Sequence, residues 1–254
     1  MSFRWLLLGL LLVSHGFADQ QADRIAAIHV AAIGGDEALK ALTSLRATGD
    51  IQIAGQTIAM TMVAQAPNHV WVETRTPGLI STQGYNGKDA PWQCVDHAQT
   101  KTVSTMDSLA ANEFIADADF YDPLYEAAQR GYTLKAMESL TVGGKTYLRI
   151  HVSNANSTPF ELWLDPDTYL IVRQVRMRLL PDGREVPIET RFSDFRPVGG
   201  VLMAFTISTY ADHRKLHETD LASIAPNPPI EPGLFDIPSQ PANQDKNSNP
   251  FALH

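Results

Sequence analysis

Two histidines have the spacing that comes nearest to a catalytic metal site in this chain. His213 and His217 stand four residues apart, which on a helix would place two zinc ligands on one face. They flank a turn between two strand-like runs, however, and no glutamate follows the first histidine as it does in zinc proteases. The pattern is typical of two exposed histidines on a hairpin.

Three aspartates, Asp117, Asp119 and Asp122, resemble the start of a calcium-binding loop. The central glycine and the closing bidentate glutamate of a helix-loop-helix calcium site are missing. An acidic linker that ends in a helix-capping aspartate accounts for the same residues. We therefore expect neither a metal ion nor another cofactor.

Motifs of covalent catalysis are also missing from the sequence. It has no Gly-x-Ser-x-Gly elbow, no glycine-rich phosphate loop and no Cys-x-x-Cys pair. The only cysteine, Cys94, lies in a strand-like run after Trp92, where a buried, inert thiol is expected. The sequence predicts a protein that is not an enzyme.

The charge of the chain argues against a nucleic-acid partner. It has 20 basic and 28 acidic residues, a formal net charge of −8. A nucleic-acid-binding protein needs a concentrated basic surface that displaces counterions from phosphates. Anionic membrane surfaces should repel this chain for the same reason.

The N-terminus has the organisation of a cleavable signal peptide. Arg4 precedes the apolar run Leu6–Val13, and a small-residue end follows at Ala18. The apolar run is shorter than the roughly 20 residues that span a bilayer. We expect residues 1–18 to be removed on export to the periplasm, residues 19–238 to form one β domain, and residues 239–254 to be a disordered tail.

In the first half of the chain, the spacing of apolar residues changes from helical to strand-like. Apolar residues between Ala22 and Leu45 recur at helical spacing, and Gly34-Gly35 interrupts them, which predicts two short helices. Asp36 is expected to cap the second helix. From Arg46 the apolar period becomes two, and turn dipeptides such as Asn86-Gly87 divide the run into a meander of strands.

A helical interruption is predicted between Thr105 and Gly131. It ends in a helix for which Asp122 is the expected N-cap, Pro123 the first residue and Gly131 the residue beyond the end. A second block of alternating strands then runs from about residue 147 to residue 224.

Several turns with their adjacent strands occur in an order that resembles the LolA-type periplasmic lipoprotein carriers and, more closely, the bacterial outer membrane lipoprotein-sorting proteins. The residues that carry the likeness are Ala66–Val70, Tyr85–Lys88 leading to Trp92, Leu162–Leu170, Phe192–Gly200, and Asn227–Pro229 through Leu234–Pro238. The resemblance implies a mainly β fold, a curved antiparallel half-barrel whose concave side is covered by a few helices. Between them lies an apolar cavity that shields lipid chains from water.

The most apolar strand faces should line such a cavity, because the helical residues must bury their own apolar side chains against the concave side. The opposite faces carry Thr57, Thr61, Glu161 and Asp165, which suit water. The predicted ligand-binding residues are Ile58, Met60, Met62, Phe160, Leu162 and Leu164.

One residue departs from the pattern of the carriers. In that family an arginine precedes the Pro-Asn turn and governs the closed lid and ligand release, whereas here the matching residue is Ala66. Arg46 and Arg75, on neighbouring strands, are candidates to replace it.

The resemblance and the export signal together predict a periplasmic carrier or binding protein for lipoproteins or other apolar or acylated ligands. Its partners would be lipid or lipoprotein acyl chains, with an inner-membrane donor or an outer-membrane acceptor protein. The alternative is an envelope interaction or stress-sensing module of the same fold that binds protein segments.

Overall fold

The structure of the chain, a computed structural model, describes residues 13–98, 100–155, 158–179 and 183–239. Most of the predicted signal peptide and the predicted tail after residue 239 lie outside the described residues. Three helices are described: α1 (Val13–Ala32), α2 (Gly35–Ala41) and α3 (Ser108–Asp117). None of these described helices has the length and apolar character that crossing a bilayer requires.

Thirteen strands are described, and all belong to one antiparallel sheet. They are β1 (Ser44–Ile53), β2 (Gln56–Gln65), β3 (His69–Thr76), β4 (Leu79–Asn86), β5 (Trp92–His97), β6 (Thr100–Thr105), β7 (Thr133–Val142), β8 (Lys145–Ser153), β9 (Phe160–Leu164), β10 (Ile171–Leu179), β11 (Glu185–Val198), β12 (Val201–Ala211) and β13 (Arg214–Pro226). The mainly β half-barrel predicted from the sequence is confirmed: the sheet is not closed into a barrel.

The sheet consists of two meanders joined at one seam. Its order is β6-β5-β4-β3-β2-β1-β13-β12-β11-β10-β9-β8-β7, so every neighbouring pair except β1 and β13 is also consecutive in the chain. The seam depends on Gly49, because a Cβ at this position would lie 2.2 Å from the carbonyl oxygen of Asp220 on β13. The pairing of β1 with β13 shifts register at the same point.

Residues 106–132 connect the two edge strands, β6 and β7, and therefore have to pass from one edge of the open sheet to the other. We call them the crossing segment. Its amide at Phe120 donates a hydrogen bond of 3.0 Å to the carbonyl of Pro67 in the β2–β3 turn. This segment covers the inner face of the sheet, the face on which α1 also packs.

Core clusters on the inner face join the sheet to the helices. Ala22, Ile25 and Ala26 of α1 pack with Ile150 and Leu162 from the second meander. On the first meander, Phe114 and Ala118 of the crossing segment pack against Val70 and Tyr85. The helices thus cover the concave side, as the resemblance implied.

One of the turns quoted for the resemblance, at Asn227, joins two strand ends. Asn227 has a positive φ of 47°. Its side-chain oxygen accepts from the amides of Thr43 (2.9 Å) and Ser44 (3.2 Å), and its side-chain nitrogen donates to the carbonyl of Ala41 at 2.9 Å. One asparagine therefore fastens the end of β13 to the start of β1.

Three sequence predictions are wrong. Residues 123–131 form a run of turns instead of a helix, because Glu126 has a left-handed φ of 48°. Asp36 makes no cap hydrogen bond to α2 and binds Lys40 instead. Asp165 does not face water: it is buried, and its carboxylate accepts from the amides of Asp167 and Thr168 in the turn after β9.

Candidate ligand-binding cavity

A cavity of about 570 Å³ lies between the inner face of β9–β12, the helices α1 and α2, and the crossing segment. This volume is within the range of roughly 300–1,000 Å³ that small-molecule sites occupy. Most of its lining is apolar and comes from all three of these parts of the fold. The apolar lining includes Ile33, Phe120, Phe160, Leu162, Phe192, Phe195 and Ile207.

The backbone at Asp194 lets β11 contribute two aromatic side chains to the cavity. Strict alternation would place Phe192 and Phe195 on opposite faces of the strand, because three positions separate them. Asp194 has a φ of 53° and is absent from the otherwise continuous pairing with β12. Both phenylalanines consequently line the cavity.

His29 of α1 is a charged group buried in the cavity wall, with only 2% of its surface exposed. Its Nδ1 lies 2.7 Å from the carbonyl oxygen of Tyr169, which can only accept, so Nδ1 carries a proton. Its Nε2 lies 3.1 Å from Asp122 Oδ2, without the alignment of a directed hydrogen bond. Because a neutral ring would turn a lone pair toward this carboxylate, the geometry favours the doubly protonated imidazolium.

The pKa values of this pair move in the directions expected for an ion pair. Burial alone would lower the pKa of His29, but the attraction of the Asp122 carboxylate outweighs it, and the pKa is raised above 6.5. Burial alone would raise the pKa of Asp122, but His29 and the amide of Leu124 stabilise the carboxylate, and its pKa is lowered.

Arg130 orders the crossing segment beside this pair. Its guanidinium donates to the carbonyls of Asp122 (2.6 Å), Tyr125 (2.9 Å) and Tyr121 (3.1 Å), and it forms a salt bridge with Asp119. The Asp119 carboxylate also accepts from the hydroxyl of Tyr132 at 2.8 Å. Arg130 therefore holds the turns of the crossing segment in addition to their few local backbone hydrogen bonds, such as that from the amide of Arg130 to the carbonyl of Glu126 (3.0 Å).

Two salt bridges fasten α3 to the far side of the cavity. Arg176 Nη1 donates to Asp117 at 3.2 Å, and Arg178 Nη2 donates to Glu113 at 2.6 Å. Because Phe114 of the same helix packs on the first meander, α3 bridges the two meanders across the open side of the sheet. Both arginines alternate with Met177, which is on the outer face and 44% exposed.

The six predicted ligand-binding residues fall into three groups. Phe160 and Leu162 line the cavity, and Leu164 is buried in the cluster directly behind them. Met60 and Met62 pack with Phe120 in a neighbouring cluster, beside the cavity lining. Ile58 is half-buried near the β1–β2 hairpin and belongs to neither the lining nor these clusters. Their role in ligand binding stays a prediction.

The arginines that do contact the crossing segment were not among the sequence candidates. Arg46 is exposed on β1, Arg75 pairs with Glu73 on β3, and neither lines the cavity. A signal for Arg176 and Arg178 was nevertheless present. Two carboxylates four positions apart on a helix, such as Glu113 and Asp117, are roughly 6 Å apart along its axis. Two arginines two positions apart on a strand are separated by roughly 6–7 Å, so each arginine can face one carboxylate.

The aspartates considered as metal ligands are each engaged by a different cation. Asp117, Asp119 and Asp122 each pair with a different cation, namely Arg176, Arg130 and His29. His213 lies in the turn before β13, and His217 lies on that strand. Within the described ranges no three histidine, cysteine or carboxylate side chains come together as a metal site.

Comparison with solved structures finds the same fold in other proteins, of which three bacterial examples follow. An outer membrane lipoprotein-sorting protein domain from Vibrio parahaemolyticus matches with a TM-score of 0.59 and 14% identity, over 86% of this chain and 97% of that chain. A DUF1329 family protein from Desulfovibrio piger matches with a TM-score of 0.58 and 12% identity, over 86% and 97% of the two chains. A LolA superfamily protein from Nitrosomonas europaea matches with a TM-score of 0.51 and 11% identity, over 87% and 96%.

The fold is LolA-like. The comparisons cover most of the chain, and they confirm the resemblance in fold that the turn motifs indicated. No protein-family model matches the sequence, and no curated protein matches it either. At these low identities the likeness shows the fold alone. The cavity is the basis for inferring the function.

Proposed function

We propose that this chain is an exported, periplasmic carrier or binding protein that encloses apolar or acylated ligands, such as the acyl chains of lipoproteins, without covalent chemistry. The observation that carries this proposal is the cavity of about 570 Å³ with a mainly apolar lining. Transfer of an acyl chain from water into such an interior gains about 0.8 kcal/mol per buried CH₂. A chain of ordinary length would therefore bind with useful affinity.

The way in which the cavity is covered supports reversible binding. Its cover is the crossing segment, and α3 within it has no fully buried residue and depends on two ion pairs at its far side. Surface ion pairs contribute little to stability, about 0–1 kcal/mol each. The α3 part of the cover can therefore open at a small cost, which a carrier needs in order to load and release its ligand.

We infer different roles for the six predicted ligand-binding residues. Phe160 and Leu162 would contact the ligand, and Leu164 would support them from behind. Met60 and Met62 would pack against Phe120 and hold it at the cavity wall. Lipoprotein donors and acceptors at the two membranes are the partners that this function implies, and the Vibrio parahaemolyticus neighbour is named for such sorting.

A bulky substitution inside the cavity tests the proposal. Ile207 and its cross-strand partner Phe192 both line the cavity, so Ile207→Trp should fill it with mainly apolar volume and add no charge. We expect the affinity for a hydrophobic fluorescent probe to fall at least about tenfold, a loss of ~1.4 kcal/mol. Equilibrium titration of the purified protein with the probe measures this.

Met177→Trp is the matched control, because Met177 lies on the outer face of β10. It adds an aromatic ring to the same sheet and should leave the probe affinity unchanged. Equal affinities of the wild type and a normally folded Ile207→Trp variant would contradict the proposal that this cavity is the binding site.

A further inference from the structure

The cavity is not uniformly apolar, because one strand turns its polar side inward. On β10, Gln174 and Arg176 line the cavity, whereas Val175 and Met177 lie on the other face. This is the reverse of the pattern expected for a strand that only packs a core. The polar character has to serve something other than packing.

The polar side chains continue across the neighbouring strands. Gln174 is the cross-strand partner of Thr190, and Thr190 is the partner of Thr209. All three line the cavity, and Arg176 is next to Gln174 on the same face of β10. We call these four residues the polar strip.

Arg176 is the charged member of the strip, and few of its donors have a hydrogen-bond partner among the described residues. A guanidinium has five N–H donors. Here Nη1 donates to Asp117 at 3.2 Å, and the buried Nε has no partner among the described residues. The guanidinium also stacks at 4.6 Å over the ring of Phe160, which keeps it at the apolar wall.

Asp117, the partner of Arg176, is the least firmly held of the three aspartates around the cavity. The side chain of Asp117 is 74% exposed and sits at the end of α3. The other two carboxylates are held more firmly: Asp119 by Arg130 and Tyr132, and Asp122 by His29. Arg176 is therefore the lining cation that a competing anion can reach most easily.

We propose that the ligand of this cavity is a single-chain amphiphile with an anionic oxygen head group, of the fatty-acid type. Its chain packs among the apolar lining residues, and its head group binds Arg176 in place of Asp117, with Gln174 and Thr190 as further hydrogen-bonding partners. This inference rests on the proposed function and specifies the ligand class of the same site. Entry of the ligand also frees Asp117, and with it one of the two ties that hold α3.

The experiment compares ligands of one chain length that differ in the head group. Delipidated protein is titrated calorimetrically with palmitate, hexadecyl phosphate and the neutral hexadecanol. We expect at least one of the two anions to bind about tenfold or more tightly than hexadecanol, because hydrogen bonds to charged groups are the stronger ones. In Arg176→Gln this preference should disappear while hexadecanol binding stays.

Arg178→Gln is the matched control. Arg178 also ties α3 to β10, through Glu113, but it does not line the cavity. This variant should keep the preference for the anion. Asp117→Asn should strengthen anion binding several-fold, because it removes the competing carboxylate. Circular dichroism of each variant shows that it is folded.

The anion that binds more tightly, palmitate or hexadecyl phosphate, shows whether the site prefers a carboxylate or a phosphate. Either preference supports the inference if it is lost in Arg176→Gln. Equal affinity for all three ligands, or a preference that survives in Arg176→Gln, overturns it and leaves the carrier function intact. Failure of every ligand to bind the folded wild type would instead contradict the carrier function itself.

Discussion

At the scale of single residues, His29 connects three separate parts of the chain. It belongs to α1, its Nδ1 binds the carbonyl of Tyr169 after β9, and its Nε2 faces Asp122 in the crossing segment. Tyr169 can present this carbonyl because its φ is 58° in a turn that Asp165 closes. The charge on His29 therefore contributes to the closed form of the cavity.

The raised pKa of His29 predicts how this contribution depends on pH. A group whose pKa is higher in the folded protein stabilises it fully below the unfolded value of 6.5, and the stabilisation is lost as the pH rises through the folded pKa. The lowered pKa of Asp122 keeps its carboxylate ionised throughout this window. We expect His29→Gln to cost ~2 kcal/mol at about pH 5.5 and clearly less at about pH 9, measured by urea unfolding.

His217→Gln is an internal control, because the cost of this substitution should depend on pH in the opposite direction. Burial lowers the pKa of His217, so its neutral form is favoured in the folded protein. The difference in free energy of unfolding between the wild type and His217→Gln should therefore grow with pH. If the cost of His29→Gln does not change with pH, the pKa of His29 is the same in the folded and the unfolded protein, and its charge does not stabilise the fold.

At the scale of elements, α3 combines ion pairs on one side with partly buried apolar contacts on the other. None of its residues is fully buried, and Leu109 is 50% exposed. Asp107 caps its start by accepting from the amides of Leu109 and Ala110. The end toward β10 is held by the ion pairs of Glu113 and Asp117.

The double variant Glu113→Gln/Asp117→Asn should loosen α3 without unfolding the sheet. Two exposed ion pairs are worth ~1 kcal/mol together, so amide hydrogen exchange over residues 108–117 should accelerate about fivefold while the melting temperature hardly changes. Glu37→Gln/Asp50→Asn, which neutralises two exposed carboxylates elsewhere, should leave exchange in α3 as it is. Unchanged exchange in the first variant would show that apolar packing alone holds the helix.

The sequence predicted most strands and the presence of two N-terminal helices, because alternation and turn dipeptides are local signals. It did not predict β7, which precedes the expected second strand block, and α1 is longer than the short helix expected. It failed at residues 123–131, where every local helix signal was present and Arg130 instead binds the carbonyls of a turn. It also missed Arg176, since alternation shows that Gln174 and Arg176 share a face but not whether that face is the inner one. The position of Arg176 depends on contacts between segments that are distant in the chain, which a local pattern does not show.

At the scale of the whole molecule, the open sheet and the crossing segment depend on each other. The edge strands β6 and β7 are consecutive in the chain, so the segment between them must span the open side. The resemblance predicted this half-barrel and its helical cover from the order of the turns. The size and lining of the cavity could not be predicted, because they depend on how far α1 and the crossing segment stand from the sheet.

Native mass spectrometry of the protein isolated from its own host tests the central claim most directly. We expect part of the population to carry an extra mass of lipid size, released by organic extraction and reduced in Ile207→Trp, because the ligand occupies the apolar cavity lined by Phe192 and Ile207. A uniformly empty protein, or one that carries a peptide in place of a lipid, would contradict the account.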